Sequence, residues 1–192
     1  MAKVALMVGH GKTTSGTWDS GCAYAGYTEA ALMLPITKAA VKYLRQSGVT
    51  VISDADTNNN RNMVVDVEWA NREKVDAYIS VHCDWYKAPT GVYPLYVSAR
   101  GKKIADALNS AIKSGIPMKS RGVCKRTDLY ELNATNAPAC ILETVSFPRT
   151  VSTFLISTSG SFAVPFQSAF AESLIPGAVT PAANVPSAST KS

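Results

Sequence analysis

The run Val4-Ala5-Leu6-Met7-Val8, closed by Gly9-His10-Gly11, constrains this chain more than any other stretch. Such an uninterrupted apolar run predicts a strand buried on both faces. The two glycines let the backbone turn sharply where the run ends. His10, between them, can ligate a metal or move a proton near neutral pH. The chain of 192 residues holds only two histidines. The other, His82, closes a second apolar run, Ala77-Tyr78-Ile79-Ser80-Val81. Ligands of open α/β sheets bind beyond the carboxyl ends of the strands. Two strands that each end in a histidine therefore predict one shared site.

The rest of the chain alternates between the two periodicities. A polar loop from Lys12 to Gly26, carrying Trp18 and Asp19, is long for a compact domain, and loops of this kind are often functional. Thr28 then offers an N-cap with Glu29 in the first turn. Leu32, Ile36, Ala40 and Leu44 mark the buried face of a helix that Gly48 ends. Pro35 in that pattern fits the first turn or a kink. Val49–Ser53 predicts a strand, Asp54 to Asn60 a polar loop, and Arg61 to Val75 a helix with Val64, Val65, Trp69 and Val75 partly in phase. After the His82 strand, Val92–Val97 reads as an edge strand because Pro94 interrupts it. A helix follows from Ser98 with Ile104, Leu108 and Ile112 on one face. Arg121–Lys125 is a short strand. Ala139-Cys140-Ile141-Leu142 is a buried one, with Glu143 at its end. A last helix is expected over about Phe162 to Leu174. The alternation predicts a single α/β domain over residues 1–175, with a mainly parallel sheet of about six strands and helices on both faces. From Pro176 the composition turns to Pro, Ala, Ser and Thr without periodicity, so residues 176–192 read as a flexible linker or tail.

Composition narrows the function classes. At 46% hydrophobic and 17% charged the chain is ordinary for a folded domain. No run approaches the roughly 18 apolar residues of a membrane span, and the start lacks a secretory pattern. The expectation is synthesis in a cytoplasm without a signal peptide and no membrane partner. A net charge of +5 and a pI near 9.0 suit a polyanionic partner. With no long basic block and no nucleic-acid-binding signature, a nucleic-acid partner is not expected. The four cysteines, Cys22, Cys83, Cys124 and Cys140, form no C-x-x-C pair and read as buried thiols.

Two histidines and one carboxylate make a common catalytic zinc set that leaves a position open for water. Glu29, Asp19, Asp84 and Glu143 are the acidic candidates for the third ligand. Glu143, placed by an apolar run at the rim of a buried sheet, is where desolvation raises a carboxyl pKa toward that of a general base. Gly11-Lys12-Thr13 imitates the end of a phosphate-binding loop, but Leu6 stands where that loop needs its first glycine. No Gly-x-Ser-x-Gly elbow supports a serine hydrolase.

Taken together, Gly9-His10-Gly11, Glu29 at a helix start, Ala70-Asn71 ahead of Asp76-Ala77-Tyr78-Ile79-Ser80-Val81-His82, Arg121-Gly122-Val123 and Pro138-Ala139-Cys140-Ile141-Leu142-Glu143 resemble the zinc-dependent N-acetylmuramoyl-L-alanine amidases of bacterial autolysins and phage endolysins. The resemblance covers roughly residues 3 to 174. It implies that His10, Glu29 and His82 hold one Zn2+ per chain and that Glu143 is the catalytic acid/base. The implied substrate is bacterial peptidoglycan, cut between the lactyl group of N-acetylmuramic acid and the L-alanine of the stem peptide. Arg121 is a candidate contact for a stem-peptide carboxylate, and Trp18, Trp85, Tyr86 and Tyr130 for a groove wall. Without a signal peptide, the resemblance favours a monomeric endolysin catalytic domain that reaches the wall on release. Residues 176–192 would then lead to a wall-binding module. Two other classes are a zinc peptidase cutting within the stem peptide and a non-catalytic wall-binding module.

Overall fold

A computed structural model describes residues 2–57, 60–85, 88–115 and 118–146. The expected helix at 162–174, the tail at 176–192 and Tyr86 lie outside the described residues. The strands are β1 (Lys3–Val8), β2 (Gly11–Lys12), β3 (Trp18–Asp19), β4 (Ala23–Tyr24), β5 (Tyr27–Thr28), β6 (Thr50–Ile52), β7 (Ala77–Asp84), β8 (Tyr93–Tyr96), β9 (Cys124–Lys125) and β10 (Ala139–Ser146). The helices are α1 (Glu29–Gln46), α2 (Met63–Arg72), α3 (Ala99–Gly115) and α4 (Tyr130–Ala134). A 3₁₀ turn covers Asp54–Thr57.

Six strands form one sheet in the order β6-β1-β7-β10-β8-β9. All neighbours are parallel except β10 and β8. The expected α/β class, a mainly parallel sheet between two helical layers, is the observed one. Side chains alternate across the sheet as a period of two requires. Val4, Leu6 and Val8 of β1 join Ile79, Val81, Cys140 and Leu142 against α1 and α3. Ala5 and Met7 join Tyr78 and Ile141 against α2 and α4. Because β1, β7 and β10 are parallel, their carboxyl ends meet on one rim.

Several elements depart from the expectation, each for a physical reason. Pro35 lies in the second turn of α1, not the first. It and Ala31 are both exposed, so water can satisfy the carbonyl that a proline nitrogen leaves unpaired. β8 is not an edge. Its outer ladder pairs Leu95 with Cys124 and Tyr96 with Lys125, past Pro94, so the missing N–H breaks no rung there. The strand expected over 121–125 shortens to those last two residues. α2 buries Asp66, Val67 and Ala70 and leaves Val65 exposed. Asp66 Oδ1 lies 3.2 Å from Arg61 Nε, a polar contact beneath the helix that lets an acidic residue turn inward. β7 runs past His82 to Asp84, and β10 runs past Glu143 to Ser146. The long loop from 12 to 26 holds two small hairpins, β2 with β3 and β4 with β5. The sequence reading did not foresee α4.

Candidate metal centre

The end of β1 is pinned before it turns. The Val8 N–H donates to Asp54 Oδ1 at 2.9 Å, and the Arg61 N–H donates to Asp54 Oδ2 at 3.0 Å. The Gly9 N–H donates to the Val81 carbonyl at 2.9 Å, which ties β1 to β7 where both reach the rim. A Cβ on Gly9 would stand 2.5 Å from the His82 ring, so only glycine admits that imidazole. His10 then adopts φ 65, a left-handed conformation rare for non-glycine residues and frequent at functional sites. The β2–β3 hairpin returns Asp19 to His10, whose Nδ1 lies 2.9 Å from Asp19 Oδ2. The β4–β5 hairpin ends at Thr28, whose Oγ1 caps α1 by accepting from the Ala31 N–H. This places Glu29 in the first turn, pointing its charge at the positive end of the helix dipole.

Glu29 is the hub of the site. Its Oε2 lies 3.2 Å from His10 Nε2 and its Oε1 lies 3.0 Å from His82 Nδ1. The N–H groups of Cys22 and Cys83 donate to the same two oxygens at 3.1 and 3.0 Å. Burial alone would raise this carboxyl's pKa, but the two imidazoles hold it well below the usual carboxylate range. The His10 and His82 rings meet edge to face with centroids 5.0 Å apart. Burial disfavours a charged imidazole at both positions, yet the facing carboxylates raise both pKa values, His82's strongly.

These residues fit a zinc ion. One ligand atom from each of His10, Glu29 and His82 lies within 4.8 Å of the others. Ligand atoms about 2.0–2.2 Å from a tetrahedral zinc stand roughly 3.3 Å apart. The 3.0 and 3.2 Å contacts to Glu29 are close to that spacing. Two imidazoles and one carboxylate leave one tetrahedral position for water, as in catalytic rather than structural zinc sites.

Glu143 sits across the β7–β10 ladder from His82, where the register shifts before Ser146. Beside it the Thr144 hydroxyl donates to the His82 carbonyl at 2.8 Å and locks the two strands at this level. Oε2 of Glu143 is buried without a hydrogen-bond partner among the described residues. Burial first, then the nearby carboxylates Glu29 and Asp84, raise its pKa to about 7 against the opposing pull of His82 and His10.

The other acidic candidates for the third position lie elsewhere. Asp19 occupies the far nitrogen of His10. Asp84 pairs with Arg121, whose Nη1 lies 2.7 Å from Asp84 Oδ2 and whose guanidinium lies over Tyr93 at 4.1 Å. Arg121 is thus already neutralised. Sequence reasoning missed Glu131, which is 6% exposed on α4. Its Oε2 lies 3.5 Å from His82 Nε2, and its Oε1 accepts from the Tyr78 hydroxyl at 2.7 Å. A buried tyrosine and a largely buried imidazole both need partners, but no local pattern ties either one to α4. The four cysteines are free thiols. Among the described residues, no helix is long and apolar enough to cross a membrane.

Comparison with known proteins places this geometry in a family. Residues 4–154 match the model of the N-acetylmuramoyl-L-alanine amidases. The amidase AmiC2 of Nostoc punctiforme is 24% identical with a TM-score of 0.78, over 89% of this chain and 96% of that one. The catalytic domain of the CD27L endolysin targeting Clostridia Difficile is 17% identical with a TM-score of 0.72, over 88% and 96%. At these identities the likeness is one of fold. A 38.4 kDa Clostridium perfringens protein of uncharacterised function is 30% identical over 116 residues, 56% of this chain and 34% of its own length. The chain therefore spans about a third of the curated relatives it matches. A family match over most of the described residues, on the fold seen in solved amidases, makes this chain a member of the N-acetylmuramoyl-L-alanine amidase family.

Proposed function

We propose that the chain holds one zinc ion on His10, Glu29 and His82 and hydrolyses the amide between N-acetylmuramic acid and the L-alanine of the stem peptide, with Glu143 as the acid/base. The observation that carries this reading is the meeting of the three donor groups at the rim, beside a carboxyl whose buried Oε2 has no hydrogen-bond partner among the described residues. Zinc bound there would polarise the lactyl carbonyl and make water a competent nucleophile near pH 7.

The remaining steps belong to the chain's own residues. Glu143, its pKa raised by burial to about 7, takes a proton from the attacking water. The same carboxyl then returns it to the departing alanine nitrogen, so one group serves both halves of the reaction. The Cys22 and Cys83 N–H groups fix the Glu29 carboxylate and keep it ionised. Trp18, Tyr24 and Tyr27, exposed on the hairpins between His10 and Glu29, offer apolar faces beside the site for a glycan strand. Arg121 serves as a stem-peptide contact only if a substrate carboxylate shares it with Asp84. An Arg121→Ala variant with raised KM and unchanged kcat would support that role.

Digestion of purified cell walls tests the reading. The expected product is a stem peptide with a new N-terminal alanine and an intact glycan. A chelator should abolish the activity and added zinc restore it. A new carboxyl end within the stem would make the chain a peptidase, and no cleavage at all would make it a binding module. The role in host lysis belongs to the same proposal. Clearing of cells when the protein reaches the wall from inside tests it.

A further inference from the structure

Each imidazole of the centre turns one nitrogen toward Glu29 and the other toward a second carboxylate. For His10 that carboxylate is Asp19, which is half-exposed on a hairpin. For His82 it is Glu131, buried on α4 and far along the chain from β7. We infer that Glu131 is a positioning residue of the metal centre: it holds the proton of His82 on Nε2 and so presents Nδ1 to the ion. The inference rests on the proposed zinc reading.

Three observations carry it. The buried Nε2 of His82 has no hydrogen-bond partner among the described residues, and Glu131 Oε2 is the acceptor that faces it at 3.5 Å. Glu131 cannot turn away freely, because its other oxygen accepts from the fully buried Tyr78 hydroxyl at 2.7 Å. Glu131 is itself buried, where a carboxylate is costly unless its oxygens are paired, and the His82 ring is the partner the fold sets before Oε2. Metal-ligating histidines commonly donate their second N–H to a carboxylate, which sets both tautomer and ring orientation. Tyr78, Glu131 and His82 make such a chain, running from the core between β7 and α4 to the rim.

Glu131→Gln is the discriminating substitution. Glutamine keeps the volume and can still accept from Tyr78, but it then offers His82 Nε2 an N–H where an acceptor is needed. The His82 proton is driven to Nδ1, the nitrogen that must ligate. Zinc affinity, measured on the full chain by competition with a chromophoric chelator, should fall about 10- to 100-fold. The metal-free melting temperatures of parent and variant, measured alongside, separate a loss of zinc affinity from a loss of folded protein. An affinity within twofold of the parent would overturn the inference.

A second measurement needs no variant. With only two histidines, long-range proton–nitrogen NMR of the zinc-loaded parent resolves both rings. The inference requires the His82 proton on Nε2. A proton on Nδ1 would contradict it even if Glu131→Gln failed to fold. If the parent protein bound no zinc, the metal reading itself would fall and this inference with it. Tight binding by the parent with an unaffected glutamine variant would remove only the role of Glu131.

Discussion

At the scale of single residues, Glu143 and Gly21 separate chemistry from architecture. Glu143→Gln keeps the side chain's shape and removes its capacity to take a proton. It should retain one zinc per chain by elemental analysis and lose about 10²–10⁴ in kcat, the usual worth of a general acid/base. Gly21 tests the reverse. It has φ +64, and a Cβ there would stand 2.5 Å from the His10 ring and 2.6 Å from Glu29 Oε2. Gly21→Ala should therefore displace two of the three proposed metal donors, on top of roughly 1–3 kcal/mol of backbone strain. Chelator competition should show weakened zinc binding, and calorimetry a lower melting temperature. His10, His82 and Glu143 were legible in the sequence because each ends an apolar run, and a run's end marks the rim of a buried sheet. Spacing alone did not single out Glu29 from Asp19, Asp84 and Glu143. Its selection came from the family resemblance, and among the described residues its carboxylate lies together with the two imidazoles. Glu131 was not legible because its partners, Tyr78 and His82, are joined to it only by tertiary packing.

At the scale of elements, the strands followed from hydrophobic runs, while α2 shows what such runs miss. Its inner face includes a polar residue, and Asp66 is buried beside Asp54, Glu131 and Arg61. Burial and the Asp54 charge raise the Asp66 pKa to about 8, with Arg61 opposing. Burial raises Asp54 to about 6 despite the N–H groups of Val8 and Arg61. A raised acid binds more protons in the folded chain than in the unfolded one. Its contribution therefore favours the folded state at low pH and weakens it as pH rises toward the folded pKa. The raised pKa of His82 acts in the same direction. Glu29 has the opposite sign, but its stabilisation is lost only below the ordinary carboxylate range. The metal-free protein should thus melt several degrees lower at pH 8 than at pH 5.5, at roughly 2–4 °C per kcal/mol for a domain of this size. Asp66→Asn should flatten that slope in a pH series of thermal melts. An unchanged slope would place the raised acid elsewhere.

At the scale of the whole molecule, the fold and the site are one arrangement. Parallel strands bring β1, β7 and β10 to a common rim, and α1 begins where the loop after β1 returns. The alternation of apolar runs and helical periods made this class readable. The two small hairpins and α4 were not readable, because strands of two residues and a helix of five carry too little periodicity. The metal should tie this rim together. Zinc at about 100 times its Kd stabilises a folded state by roughly 2.7 kcal/mol. Adding it to the metal-free chain should raise the melting temperature by about 5–10 °C. Replacement of either histidine should remove that rise.

Anomalous diffraction at the zinc edge from zinc-loaded crystals tests the central claim most directly. The account predicts one strong peak per chain, about 2.0–2.2 Å from His10 Nε2, His82 Nδ1 and an oxygen of Glu29. A zinc peak away from these three residues, or none in crystals of an active enzyme, would contradict it.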